Sequence, residues 1–126
     1  MNGLTLAYLG DAYYELYIRK YLISLGFTDV DILHKKAVMF TSGKAQAEIF
    51  TYFQEQNILT EKELDVFKRG RNASPAKRHN ISAKAYQTAT GFEALIGNLS
   101  IYDETRCHQL IELAIRYMVE KVGEGA

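Results

Sequence analysis

Two carboxylates are placed where carboxylates are costly. Asp11 lies within residues 6–22, LAYLGDAYYELYIRKYL, of which twelve of seventeen are apolar or aromatic. These surround the whole helical circumference instead of forming one stripe, so the segment reads as a buried helix. An ionised carboxylate there needs a basic partner, several hydrogen-bond donors or a metal ion. Glu15 has Arg19 four residues later, the favourable order for an ion pair; a place behind the metal ligands is its other reading. Asp11 has no such partner, because position 7 is Ala7 and position 15 is acidic. The pattern recurs at residues 86–101, YQTATGFEALIGNLSI, where Glu93 is the only charged residue. One divalent cation facing both Asp11 and Glu93 accounts for both. The competing account is a pair of buried acids bonded to some of the nine tyrosines, or to a loop cation.

Helices must position this pair. After the first helix, Gly26 marks a turn, and Thr28 or Asp29 caps a helix over residues 30–40. Thr41 or Ser42 opens a third, to about residue 56. Thr60 and Glu63 have the spacing of a capping box and open a fourth, to about residue 68. Residues 70–81 read as a long irregular segment. Ser82 leads into the Glu93 helix, loosened near Gly97 and Asn98, and Asp103 opens an amphipathic last helix. No run alternates apolar and polar with β-branched enrichment, so no strand is expected. The reading is one all-α domain over residues 1–126, with about six helices.

Composition sets further bounds. The chain has 126 residues, 48% hydrophobic and 24% charged, which suits one folded core. Cys107 is the single cysteine, excluding an intramolecular disulfide or a cysteine zinc site and suiting a reducing compartment. No segment is long and apolar enough for a bilayer and no secretory signal is evident, so a cytoplasmic protein with no membrane partner is expected. Net charge is zero, yet residues 68–80, KRGRNASPAKRHN, hold five Lys or Arg plus His79 and no acid. A neutral chain can still carry such a basic patch.

LGDA at residues 9–12 and FEALIG at residues 92–97, in that order within a helical chain, resemble the two signature helices of the ribonuclease III endonuclease domain. With LHKKA at 33–37, KAQAE at 44–48 and RGRNA at 69–73, nearly the whole chain is similar to the Mini-ribonuclease III family, whose members lack a separate double-stranded-RNA-binding domain. The resemblance implies a homodimeric endoribonuclease that cuts double-stranded RNA with Mg²⁺, Mn²⁺ being the alternative ion, and matures the ends of large-subunit (23S) ribosomal RNA precursors. It leaves room for a ribosomal-protein helper that presents the substrate. Asp11 and Glu93 match the metal-binding, catalytic acids of the two signatures. Ribonuclease III proper carries further acids seven before the first and three before the second, where this chain has Leu4 and Thr90. That puts a tightly held second metal in doubt. The chain also starts close to its first signature, which reads as a shortened N-terminus.

Carboxylate oxygens hold Mg²⁺ while leaving sites for water and phosphate, which suits phosphodiester hydrolysis. Lys68, Arg69, Arg71, Lys77 and Arg78 would contact phosphates, and Asn72 a 2′-hydroxyl in the shallow minor groove of A-form RNA. Gly10 and Gly91, each close to one of the acids, would admit either a neighbouring helix or the RNA backbone. The apolar excess of the first helix is what a helix-on-helix dimer interface would absorb. The alternative is a non-catalytic RNA-binding or ribosome-associated protein of the same fold.

Overall fold

The computed structural model describes residues 1–75 and 82–123. Six helices follow in chain order: α1 Gly3–Ser24, α2 Val30–Thr41, α3 Gly43–Glu55, α4 Glu61–Ala73, α5 Ala83–Tyr102 and α6 Glu104–Val122. There is no strand among the described residues, so the fold is all-α as expected. Each helix starts on a side chain that accepts a backbone N–H: Asn2, Asp29, Ser42, Thr60, Ser82 and Asp103. At Thr60 the capping box is complete, with Glu63 reaching back to the Thr60 N–H at 2.9 Å. Gly26, at φ 100°, supplies the left-handed turn after α1.

α5 is the centre of the molecule and packs against α1, α3, α4 and α6. Phe92, Ala94, Leu95 and Ile96 on consecutive sides of it are all fully buried, as a helix enclosed by others requires. Tyr14 on α1 meets the Phe92 ring edge-on at 5.2 Å, and its hydroxyl donates to the Phe40 carbonyl of α2 at 3.0 Å. This ties α1 and α2 to α5.

Three sequence expectations are corrected. α4 does not end near residue 68 but runs to Ala73, because Gly70 packs on α5 and does not break the helix; a Cβ there would lie 2.4 Å from the Ala94 Cβ. α5 does not loosen at Gly97 and Asn98 but continues to Tyr102, for the same reason: Gly97 sits against α1. And α1 is not buried all round. Leu4, Tyr8, Leu16 and Ile23 share an open face, with Tyr8 83% exposed, and Asp11 and Ala12 are exposed beside them. The apolar circumference splits into a face that covers α5 and a face that nothing among the described residues covers.

Candidate active site

A close approach of two helices brings the two carboxylates together. At the crossing of α1 and α5, a Cβ on Gly10 would fall 1.7 Å from the Glu93 carbonyl oxygen, and one on Gly97 2.0 Å from the Leu6 carbonyl oxygen. Only hydrogen at both positions lets the two backbones meet. Of the two sequence readings for Gly10, helix packing is the one seen. Gly91 likewise faces a helix, with a Cβ position 2.6 Å from the Phe67 ring of α4.

Asp11 follows Gly10 and therefore projects beside Glu93. Burial, the charge of Asp11 and a hydrogen bond shared with Asp11 together push the Glu93 carboxyl up to about 8. One donor opposes them: the Gln46 amide of α3, whose Nε2 lies 3.4 Å from Glu93 Oε2. No ion pair among the described residues involves either carboxylate. The hydroxyls of Tyr13, Tyr14 and Tyr17 donate to Glu104, the Phe40 carbonyl and Glu112, not to this pair. Adjacent carboxylates without a cation have the donor set and charge of a hard divalent ion's site. Among the described residues no cluster of three or more His, Cys, Asp or Glu could hold a metal, so an ion at this pair would take two protein carboxylates and fill its shell from water and phosphate.

Lys68, Arg69, Arg71 and Asn72 stand on the last turns of α4, with Lys68, Arg69 and Asn72 exposed. The Gly70 contact sets these turns against Gly91 and Ala94, the residues flanking the Glu93 turn of α5. Arg71 lies over the Phe67 ring at 5.7 Å and donates from Nε to Asn72 Oδ1 at 3.1 Å, leaving the Asn72 amide donors available. Lys77 and Arg78 lie outside the described residues. Glu15 pairs with Arg19 at 3.3 Å, the ion-pair reading, and shares a groove with His34 between α1 and α2.

The ribonuclease III domain model matches residues 4–104. The chain is 54% identical over 118 residues to a Mini-ribonuclease 3 of Acholeplasma laidlawii, covering 94% of each. It is 45% identical over 125 residues to that of Enterococcus faecalis, covering 98% of this chain and 92% of the relative. A crystal structure of a Fusobacterium nucleatum protein superposes with a TM-score of 0.82 at 31% identity, over 94% of this chain and 95% of that one. This chain belongs to the Mini-ribonuclease III family. It is a ribonuclease of the ribonuclease III type, and its substrate is RNA.

Within the Mini-ribonuclease III chain, the two positions that depart from ribonuclease III proper have different surroundings. Leu4 is exposed on α1. Thr90 is buried, its hydroxyl donating to the Tyr86 carbonyl at 3.0 Å and accepting from Ser74 at 3.2 Å. Gln46 was the residue missed. It falls on the apolar face of α3 with Ile49, Phe50 and Phe53, and a polar residue in such a series was the available signal.

The raised Glu93 carboxyl has a stability consequence. A carboxyl whose folded pKa lies above its unfolded value, about 4.3, holds its proton more tightly in the native state. Its contribution is complete below the unfolded value and is lost as pH rises through about 8. Glu93→Gln has no proton to lose. In chelator, thermal melts at pH 5 and pH 9 are expected to show the parent losing more stability than the variant, by on the order of a few kcal/mol. An equal loss would show that Glu93 is as well solvated folded as unfolded.

Proposed function

We propose that this chain, acting as a single catalytic domain, is a Mg²⁺-dependent endonuclease for double-stranded RNA, with Asp11 and Glu93 as the metal-binding acids. The observation that carries the reading is the pair itself: two carboxylates brought side by side at a glycine crossing, one of them partly buried, with no ion-pair partner among the described residues. A purely RNA-binding surface gains nothing from acids that repel phosphate. Mg²⁺ bound there would supply charge stabilisation at the phosphoryl oxygens and a more acidic water. Asp11, on the exposed side, is the carboxylate that reaches substrate from solvent; Glu93, set on the central helix, holds its position against a rigid core.

The basic turns of α4 bind the duplex in this reading. Lys68, Arg69 and Arg71 engage phosphates, with Lys77 and Arg78 continuing the same charge run, and Asn72 donates toward a 2′-hydroxyl. The open apolar face of α1 supports a homodimer. Leu4, Tyr8 and Leu16 run alongside Asp11, so a two-fold partner there would bury them and carry a second carboxylate pair for the opposite strand. Family membership favours paired ends of the large-subunit ribosomal RNA precursor as the cytoplasmic substrate, with room for a ribosomal-protein helper.

A long RNA duplex incubated with the protein in Mg²⁺, in Mn²⁺ and in chelator tests the proposal. Cleavage with metal only is expected, from a species sedimenting at twice the 14.3 kDa chain mass. Binding without cleavage by the folded chain, over a range of duplexes, would instead establish the non-catalytic reading.

A further inference from the structure

Gln46 occupies a core position for which an apolar residue would be the simpler choice. Its side chain is 2% exposed, on the face of α3 that also carries Ile49, Phe50 and Phe53. Its amide nitrogen has two hydrogens and two acceptors in reach: the Thr41 carbonyl at the end of α2, at 3.0 Å, and Glu93 Oε2, at 3.4 Å. Among the described residues the amide oxygen is buried without a partner. Flipping the amide would not help, because the oxygen would then face a carbonyl and a carboxylate, both acceptors. A buried unpaired acceptor costs stability, whereas Met or Leu would fill the same space without that cost. Packing therefore does not account for glutamine here, but donation does. One N–H anchors the side chain to the α2–α3 junction, and the other points at the carboxylate beside Asp11.

We propose that Gln46 is a positioning residue: anchored on the Thr41 carbonyl, its amide holds the Glu93 carboxylate toward Asp11, so that the pair is arranged for a divalent cation before one binds. This rests on the reading of Asp11 and Glu93 as the metal-binding pair. The rigidity comes from three elements meeting at one side chain, with α3 supplying Gln46, α2 the anchoring carbonyl and α5 the carboxylate that is held. Partners of this kind behind metal ligands typically matter about 10–100-fold in metal affinity or activity.

The test is Gln46→Met, which keeps the length and loses both donors. Mn²⁺ binding to the protein without RNA, followed by electron paramagnetic resonance, is expected to weaken about 10-fold or more. Cleavage of a duplex should lose kcat, while KM for the duplex stays within about 2-fold because Gln46 touches no RNA. The melting temperature in chelator is expected to change little, because losing the unpaired oxygen offsets losing the donations to the Thr41 carbonyl and Glu93. Parental Mn²⁺ affinity and kcat in Gln46→Met would overturn the proposal and leave Gln46 a packing residue. A parent chain that binds no Mn²⁺ would overturn the metal reading, and this inference with it. If Gln46→Met fails to fold, the parent answers alone: the Gln46 side-chain amide resonances must shift on adding Mg²⁺, and unshifted resonances overturn the role.

Discussion

Asp11→Asn is expected to lower Mg²⁺-dependent duplex cleavage by about 10³-fold or more while the chain stays folded and keeps the parent's oligomeric state. The size follows from what the carboxylate does in the proposed site. A metal that stabilises transferring charge contributes several kcal/mol, and each ~1.4 kcal/mol is a factor of ten in rate. Asparagine keeps the shape and one oxygen but lacks the charge that holds the ion. The structure makes this an unusually clean substitution, because Asp11 is exposed in the single chain and its neighbour Gly10, not Asp11 itself, makes the tight helix contact. Removing its charge also relieves Glu93, whose carboxyl is raised by burial and then by Asp11, so the metal-free variant should melt no lower than the parent. Single-turnover cleavage at saturating Mg²⁺, with melting and sedimentation of the same samples, separates these effects. Full activity would remove Asp11 from the site; loss of activity accompanied by loss of the fold would make the residue structural.

The helices were legible because their signals are local. Ser42, Thr60, Ser82 and Asp103 cap where a polar side chain precedes an apolar series, and the Thr60–Glu63 box needs nothing beyond its own turn. Gly70 and Gly97 misled for the complementary reason. Alone, a glycine in a helical run weakens the helix, so the sequence predicts an irregular segment from Gly70 and a loosened end near Gly97. Their use is to let α5 approach α4 and α1, and that depends on residues more than twenty positions away in sequence. The α1 face was ambiguous in the same sense. Periodicity shows that apolar residues surround the helix, but not which of them α5 covers and which are left for a partner. Asp11 was consequently expected inside, whereas it stands on the open side. Gln46 was a polar residue in an apolar stripe; its relation to Glu93, forty-seven residues away, exists only in the folded chain.

Gly10→Ala carries the second large effect, and two terms of opposite sign decide it. Alanine is the better helix former by about 1 kcal/mol. Against that, its Cβ would lie 1.7 Å from the Glu93 carbonyl oxygen and 2.7 Å from the carbonyl carbon. Backbone atoms of the central helix cannot swing aside as a flexible side chain would, so α1 and α5 must separate along the crossing. Packing wins, with a net destabilisation of about 3 kcal/mol or more in denaturant unfolding. The same separation moves Asp11 away from Glu93, and a displacement of about 1 Å is enough to cost on the order of 100-fold in rate. The variant should therefore lose cleavage even at temperatures where it is still fully folded. Gly26→Ala is the control: at φ 100° with nothing within 4 Å, it strains only its own turn. It should lose about 1 kcal/mol and keep its cleavage rate. If both variants lost stability but neither lost activity, the glycine crossing would serve the fold alone, and the closeness of the two carboxylates would not set the rate.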